Sequence, residues 1–232
     1  VRWQQGRIVA QTEETHWEQV AKTRMGKYIT QVEVQFIKNS LGANSLEMVL
    51  DVGAEAGRFS QLSSNAQTVS IDIDKKALKR LQKKAPDTLI VQADARHLPL
   101  KDGLFDAITM IEVLDYIPEL QMVFQEAHRT LKPKSPLILS FGNRSSLKAK
   151  LRQLSGKSYT HAYSNVINTL KRSNFSVVKK TGYNWLLFGR MSQNPLIPLL
   201  AKLEWALGFR RIPSLSPWVI VHATKTDGQP IK

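Results

Sequence analysis

Short apolar runs and longer mixed runs alternate along this chain of 232 residues. From Lys27 to Leu41, residues Tyr28, Ile29, Val32, Val34, Phe36 and Ile37 recur at helical spacing, which predicts a long amphipathic helix after a mostly helical start. An apolar run closing at Met48, Val49 and Leu50 reads as a first strand, and further runs follow at Val69–Ile73, Leu89–Val91, Phe105–Ile111, Leu137–Phe141, Phe175–Lys180 and Trp218–Thr224. Helical spacing fills the gaps: from Phe59 to about Ser64, along Asp74–Pro86, from about Pro118 to Leu131, and from Ser164 to Arg172. Strands and helices alternating on this period predict a doubly wound, mostly parallel sheet of seven strands. Beyond Phe141 the rhythm loosens, with an irregular or short helical connection over Ser140–Ser158.

The punctuation of the first junction carries the candidate chemistry. Val49–Ser60 reads VLDVGAEAGRFS, a strand end, a loop marked by Gly53 and Gly57, and the start of a helix. At such a junction unpaired backbone N–H groups line the carboxyl edge of a parallel sheet and can receive a ligand. An ordinary strand-to-helix turn is the alternative. Asp72 ends the second strand 21 positions after Asp51, near the spacing at which nucleotide-binding folds place an acid whose two oxygens accept from a ribose diol. Asp94 ends the third strand, and Glu112 and Asp115 lie past the fourth, so these acids share one sheet edge.

Composition narrows the setting. A 42% hydrophobic share supports a sizeable core, taken as one domain with additions. Without cysteine the chain holds no disulfide and no thiolate metal site, and a cytoplasmic protein is expected, either free or resting on a membrane. Val1 is not followed by a leader-like run, and Pro195–Gly208 is shorter than the ~20 apolar residues of a span. Charge is lopsided: residues 1–143 hold 18 Lys and Arg against 17 Asp and Glu, whereas residues 144–232 hold 15 against 2. Such a field attracts anionic partners, namely a phosphate-bearing metabolite, an acidic lipid surface or nucleic acid, although a basic exterior can also serve solubility alone. The six cations from Lys75 to Lys84 are read as a solvated helix face.

Taken together, VLDVGAEAGRFS, VSIDID, VQADARHLPL and FDAITMIEVLDYIPELQMVFQEAHRTLKP resemble the class I S-adenosylmethionine-dependent methyltransferases of the small-molecule type, over about Val49–Phe141. The resemblance implies a Rossmann-like methyltransferase fold whose last strand runs antiparallel, with S-adenosyl-L-methionine as cofactor and no metal. It sets Asp51, Gly53, Ala54, Glu55 and Gly57 around the methionine part, gives Asp72 the ribose hydroxyls, Ile73 an adenine face, Asp94 and Ala95 the adenine edge, and Ile111 backbone contact near the amino group. Glu55 departs from the family, standing where the loop usually carries its middle glycine. A glutamate there would oppose a pyrophosphate, whereas a sulfonium and an ammonium outweigh the single carboxylate of this cofactor. Crowding of that carboxylate is the risk.

The implied organisation is a helical extension over residues 1–45 and the methyltransferase domain over 46–232, with an insertion at 183–216 as a substrate cap. Within the insertion Leu196, Leu199, Leu200, Leu203 and Leu207 share a helical face, expected to pack on the domain, with an anionic membrane surface as the rival destination. Methyl transfer needs mainly an acceptor held in line. Should an oxygen acceptor need a base, Asp115, Tyr116 and His161 are the candidates, then Tyr163, with His161 expected to be exposed in a loop. Expected acceptors are small or lipid-linked and anionic. An RNA or DNA methyltransferase and a non-catalytic cofactor-binding protein, the latter motivated by Glu55, are the alternatives. Oligomeric state is not readable.

Overall fold

The computed structural model describes residues 14–42, 46–60, 66–153 and 160–227. Seven strands form one sheet: β1 (Met48–Val52), β2 (Gln67–Asp72), β3 (Leu89–Gln92), β4 (Ala107–Met110), β5 (Pro136–Gly142), β6 (Phe175–Tyr183) and β7 (Trp218–Lys225). Their order across the sheet is β3-β2-β1-β4-β5-β7-β6. Every adjacent pair from β3 to β5 is parallel, while β7 runs antiparallel between β5 and β6. Order reverses between β1 and β4, so the loops after these strands diverge and leave a crevice at the carboxyl edge.

Alternation along the strands separates two cores. Leu50, Ile108, Leu137, Leu139 and Val221 face one way, against α4 (Leu120–Thr130) and α6 (Tyr163–Arg172). Their neighbours Val49, Ala107, Ile138 and Ile220 face the other, against Met25, Tyr28, Ile29, Val32, Phe36 and Ile37 of α2 (Arg24–Leu41). The helix expected at Lys27–Leu41 is therefore one of the sheet's own covers. Ahead of it stands α1 (His16–Lys22), begun by a capping box between Thr15 and Glu18. Thr23 ends α1 and caps α2 at Gly26, which fixes the elbow between them. The helix expected from Phe59 to Ser64 passes outside the described residues after Ser60, and up to that point the chain is in turns and bends.

Three further helices complete the fold: α3 (Lys75–Lys84), capped by Asp74, then α5 (Leu147–Gln153) and α7 (Ile197–Ala206). The cationic face of α3 is only partly solvated, because Arg80 and Lys84 pair with Glu18 and draw α1 across the carboxyl edge. Between β6 and β7 the insertion also differs from expectation. α7 buries Ile197 and Glu204, while Leu196, Leu199, Leu203 and Leu207 are exposed. Glu204 helps to turn α7 this way: its carboxylate receives the Tyr28 hydroxyl at 2.5 Å and the Trp185 backbone N–H at 3.1 Å, while Ile197 and Ala201 on the same side pack into the core.

Candidate active site

The loop after β1 is pinned to β2, for the N–H groups of Gly53 and Ala54 both donate to Ile71 O, at 2.7 and 2.9 Å. Gly53 has φ 70°, and a Cβ there would lie 2.2 Å from Val113 Cγ2; Gly57 has φ 87°, and its Cβ would meet Leu81 Cδ1 at 2.3 Å. Left-handed backbone and close packing thus both require glycine at these two positions. Glu55 takes the same hand, with φ 48°, at a cost of roughly 1 kcal/mol for a residue with a side chain. Its N–H donates to Asp72 Oδ2 at 2.8 Å, and the Asp74 N–H donates to Oδ1 at 2.8 Å. Asp72 is therefore an oriented acceptor on the wall of a cavity of about 480 Å³. The Glu55 carboxylate is hydrogen-bonded by Thr15 and held above its ordinary range by burial.

Of the residues anticipated from the sequence, Gly53, Ala54, Glu55, Asp72, Ile73, Asp94, Ala95 and Ile111 line this cavity. Ile73 stands 68% exposed on its rim, as an apolar surface open to a flat ring. Asp51 and Gly57 do not reach the cavity wall. Asp51 is buried, accepting from Ser60 Oγ at 2.7 Å and from Thr109 Oγ1 at 2.9 Å, so it braces β1 against β4 and the loop. Burial pushes its carboxyl up to about 6. Asp94 is gripped by Arg96, whose Nη2 lies 2.7 Å from Oδ2, and those hydrogen bonds hold the carboxyl below its usual range. Arg96 also reaches Glu119 at 3.0 Å.

The candidate bases separate. Tyr116 lines the cavity and is exposed. Asp115 turns away and accepts the Gly142 N–H at 3.0 Å, capping the end of β5. His161 is not exposed as expected but 3% accessible, with Nε2 2.9 Å from both Leu114 O and Ile117 O. A nitrogen between two carbonyl oxygens is a donor, so His161 clamps the 3-10 turn Leu114–Tyr116 through Nε2. Tyr163 packs against the core and carries Lys180 over its ring.

A second cluster escapes sequence reasoning. Arg58, in the loop after β1, lies 3.1 Å from Glu112 and 3.7 Å from Glu33 of α2. Arg190 of the insertion reaches the same Glu112 oxygen at 2.7 Å, and the Tyr183 hydroxyl donates to Glu33 at 2.6 Å. Burial raises Glu33, helped by the neighbouring negative Glu112. Burial would raise Glu112 as well, but Arg58 and Arg190 outweigh it and hold that carboxyl low. Trp17 of α1 lies under both guanidinium groups, 5.7 Å from Arg58 and 4.4 Å from Arg190, and Trp218 flanks Arg190 at 4.2 Å. Trp17, Arg58 and Glu112 all line the cavity, and Glu112 Oε1 is buried without a hydrogen bond. These residues come from α1, α2, three loops, β6 and β7, and no short motif joins them. The one signal available was the pairing of an acid just past β4 with an arginine in the glycine loop.

The order β3-β2-β1-β4-β5-β7-β6 with β7 reversed is that of the class I S-adenosylmethionine-dependent methyltransferase fold. Residues 50–139, which hold most of the cavity wall, match the family described as a methyltransferase domain. A putative S-adenosylmethionine-dependent methyltransferase of Listeria monocytogenes superposes with a TM-score of 0.65 over 87% of this chain and 100% of its own, at 16% identity. By sequence the chain is 37% identical over 107 residues to the ubiquinone/menaquinone biosynthesis C-methyltransferase of Bartonella quintana, covering 41% of each. It is 32% identical over 132 residues to the ubiquinone biosynthesis O-methyltransferase of Chromobacterium violaceum, covering 53% of each. The chain thus matches about half the length of these relatives.

The residues present fit S-adenosylmethionine. Asp72 is an ionisable acceptor fixed for a diol, Ile73 and Ala95 offer apolar contact for a purine, and the free Oε1 of Glu112 is an acceptor for an ammonium or hydroxyl donor. A pocket of this volume suits a ligand of that size. The edge is less acidic than the carboxylates counted along the sequence suggest, since Arg96 pairs with Asp94 and both Arg58 and Arg190 pair with Glu112.

Proposed function

We propose that the chain is an S-adenosylmethionine-dependent methyltransferase acting on a small or lipid-linked acceptor. One observation carries the reading: the cavity with the oriented Asp72 carboxylate at one end continues to the buried Glu112 at the other. When bound, the cofactor supplies a methyl group on a sulfonium, a good leaving group. Asp72, Ile73 and Ala95 would hold its nucleoside, and the loop Gly53–Glu55 the methionine end. Glu112, ionised between two arginines, is a weak base but a strong hydrogen-bond acceptor, so it would orient an acceptor N–H or O–H. Tyr116 at the mouth and Trp17 above it would exclude water and cover the acceptor's apolar part.

The two relatives from Bartonella quintana and Chromobacterium violaceum are both named for ubiquinone biosynthesis, one as a C- and one as an O-methyltransferase. Their shared theme supports an acceptor with an apolar body, and their difference leaves the receiving atom open. The guanidinium groups of Arg58 and Arg190 next to the cavity favour an acceptor that carries negative charge. The test is calorimetry: S-adenosylmethionine should bind the wild type, and Asp72→Ala should weaken binding at least about a hundredfold, since a doubly bonded diol loses its charged acceptor. Unchanged affinity in that variant would overturn the site assignment. A screen of labelled methyl transfer to quinone precursors and lipid extracts would then find the acceptor.

A further inference from the structure

Ten of the sixteen large apolar side chains that stand exposed among the described residues fall within the 29 residues from Leu187 to Leu215. On α7 they form a stripe, Leu196, Leu199, Leu203 and Leu207, at intervals of three and four residues, 45% to 66% exposed. Leu187, Trp205, Ile212 and Leu215 extend the exposed apolar surface on either side of it. The flank continues on α5, whose Lys148 Nζ donates to Asn184 O at 3.1 Å and to Asn184 Oδ1 at 3.0 Å, and whose Leu147 and Leu151 are also exposed. A water-soluble surface does not carry so much apolar area in one place without a partner.

Charge selects the partner. The only acid between Leu187 and Leu215 is Glu204, and it is buried against Tyr28 and Trp185. Lys202 and Arg211 stand exposed beside the stripe, with Lys150 and Arg144 on the neighbouring flank. A second copy of this chain is disfavoured, because a two-fold contact would set these cations against themselves with no acid to meet them. A free nucleic acid would use the cations and leave the leucines in water. α7 is ten residues long, too short to cross a bilayer of about 30 Å at about 1.5 Å per residue. No helix among the described residues is long and apolar enough to span.

We propose that α7 and the segment up to Leu215 form a docking surface for an anionic lipid bilayer, with the leucine stripe and Trp205 in the headgroup boundary and Lys202 and Arg211 on lipid phosphates. Such helices gain affinity from buried apolar area and anionic lipid together. Glu204 gives the surface its orientation, since its bond to Tyr28, with Ile197 and Ala201 in the core beside it, turns that side of α7 inward and the leucines outward. Because Arg190 ties the base of this insertion to Glu112, the docked face connects directly to the acceptor end of the cavity. This inference does not depend on methyl transfer, for its readout is binding.

The full chain is floated with vesicles of phosphatidylcholine alone and of phosphatidylcholine with about one third phosphatidylglycerol. Wild type should partition onto the anionic vesicles and only weakly onto neutral ones. Leu199→Glu combined with Leu203→Glu and Leu207→Glu should lower partitioning at least about a hundredfold, and Lys202→Ala or Arg211→Ala about fivefold each. All these side chains are exposed, so circular dichroism and thermal unfolding should match wild type. Equal binding to both vesicle types, undiminished binding by the triple variant, or no vesicle binding at all would overturn the proposal. So would concentration-dependent dimerisation that the triple variant abolishes, which gives the face to a second copy, or salt-sensitive RNA retention in place of vesicle binding.

Discussion

The two ends of the cavity are built by different rules. At the end that carries Asp72, backbone does the positioning: the Gly53 and Ala54 N–H groups grip Ile71 O, and those of Glu55 and Asp74 hold Asp72. At the end that carries Glu112, long-range side-chain pairs do it: Glu33, Arg58, Glu112, Tyr183 and Arg190 come from five separate stretches and meet in a buried network. Backbone positioning tolerates exchange of a neighbour, whereas a buried ion network fails when one member leaves. Mutation should therefore divide the ends cleanly, the first losing ligand and the second losing stability.

The largest expected effect is at Arg190. Replacing it with Met keeps volume but leaves the buried Glu112 with Arg58 alone, which should lower unfolding stability in urea by about 3 kcal/mol. Asp72→Ala, which empties an oriented but accessible carboxylate, should leave stability within about 1 kcal/mol while removing cofactor affinity. If Asp72→Ala proved the more destabilising of the two, the contrast between the ends would collapse. An acceptor found by screening should show its rise in KM with the conservative Arg58→Lys, because a lysine cannot keep the fork toward Glu33 and Glu112 together.

A middling effect is expected where α1 bridges the two ends. Glu18 accepts from Arg80 Nε and Nη2, both at 3.0 Å, and also pairs with Lys84, while its neighbour Trp17 lies against Arg58 and Arg190. Burial alone would raise the Glu18 carboxyl, but hydrogen bonds from Arg80 and Lys84 outweigh it and bring it down to about 2. The depressed value means that the pairing is fully present above the ordinary 4.5 and is lost as pH falls toward 2. Glu18→Gln should accelerate amide exchange across His16–Lys22 and weaken cofactor binding severalfold, with cooperative unfolding of the sheet little changed. Unaltered exchange in that helix would show that Glu18 does not hold α1 in place.

Much of the first end was legible in the sequence because its signals are local. Strand runs, the glycine loop and an acid at the end of β2 give β1, β2 and Asp72 directly, and all seven strands fall within a few residues of their expected limits. Asp51 misled for a physical reason: an acid at a strand end can point outward to a ligand or sideways to neighbouring hydroxyls, and Ser60 with Thr109 decides for the latter. The leucines of α7 misled in the opposite sense. An apolar stripe normally marks the buried side, and only Tyr28, 176 residues away in sequence, reveals that Glu204 docks instead. His161 likewise reads as a lone loop histidine until the carbonyls of Leu114 and Ile117 close on it. Composition warned of the last third without locating its pairs, since an arginine count does not say which acids are buried.

The smallest effect is expected at Asp51, and its sign runs against the habit that buried acids stabilise. Burial raises this carboxyl from 3.8 to about 6, despite the hydrogen bonds from Ser60 and Thr109. Its charged form is therefore disfavoured in the fold, so its contribution is full below about 4 and is lost as pH rises through about 6. Asp51→Asn keeps the shape: one of the two hydroxyls goes on donating to the remaining Oδ1, and the other can rotate to accept from Nδ2, so each hydroxyl keeps its partner. The variant should equal or exceed wild type at pH 8 by an amount of order 1 kcal/mol and lose that advantage at pH 4. Because Asp51 braces the loop from behind and does not line the cavity, cofactor affinity should change less than in Asp72→Ala at every pH. A fall in affinity as large as that of Asp72→Ala would return Asp51 to the ligand, and with it the reading drawn from the sequence.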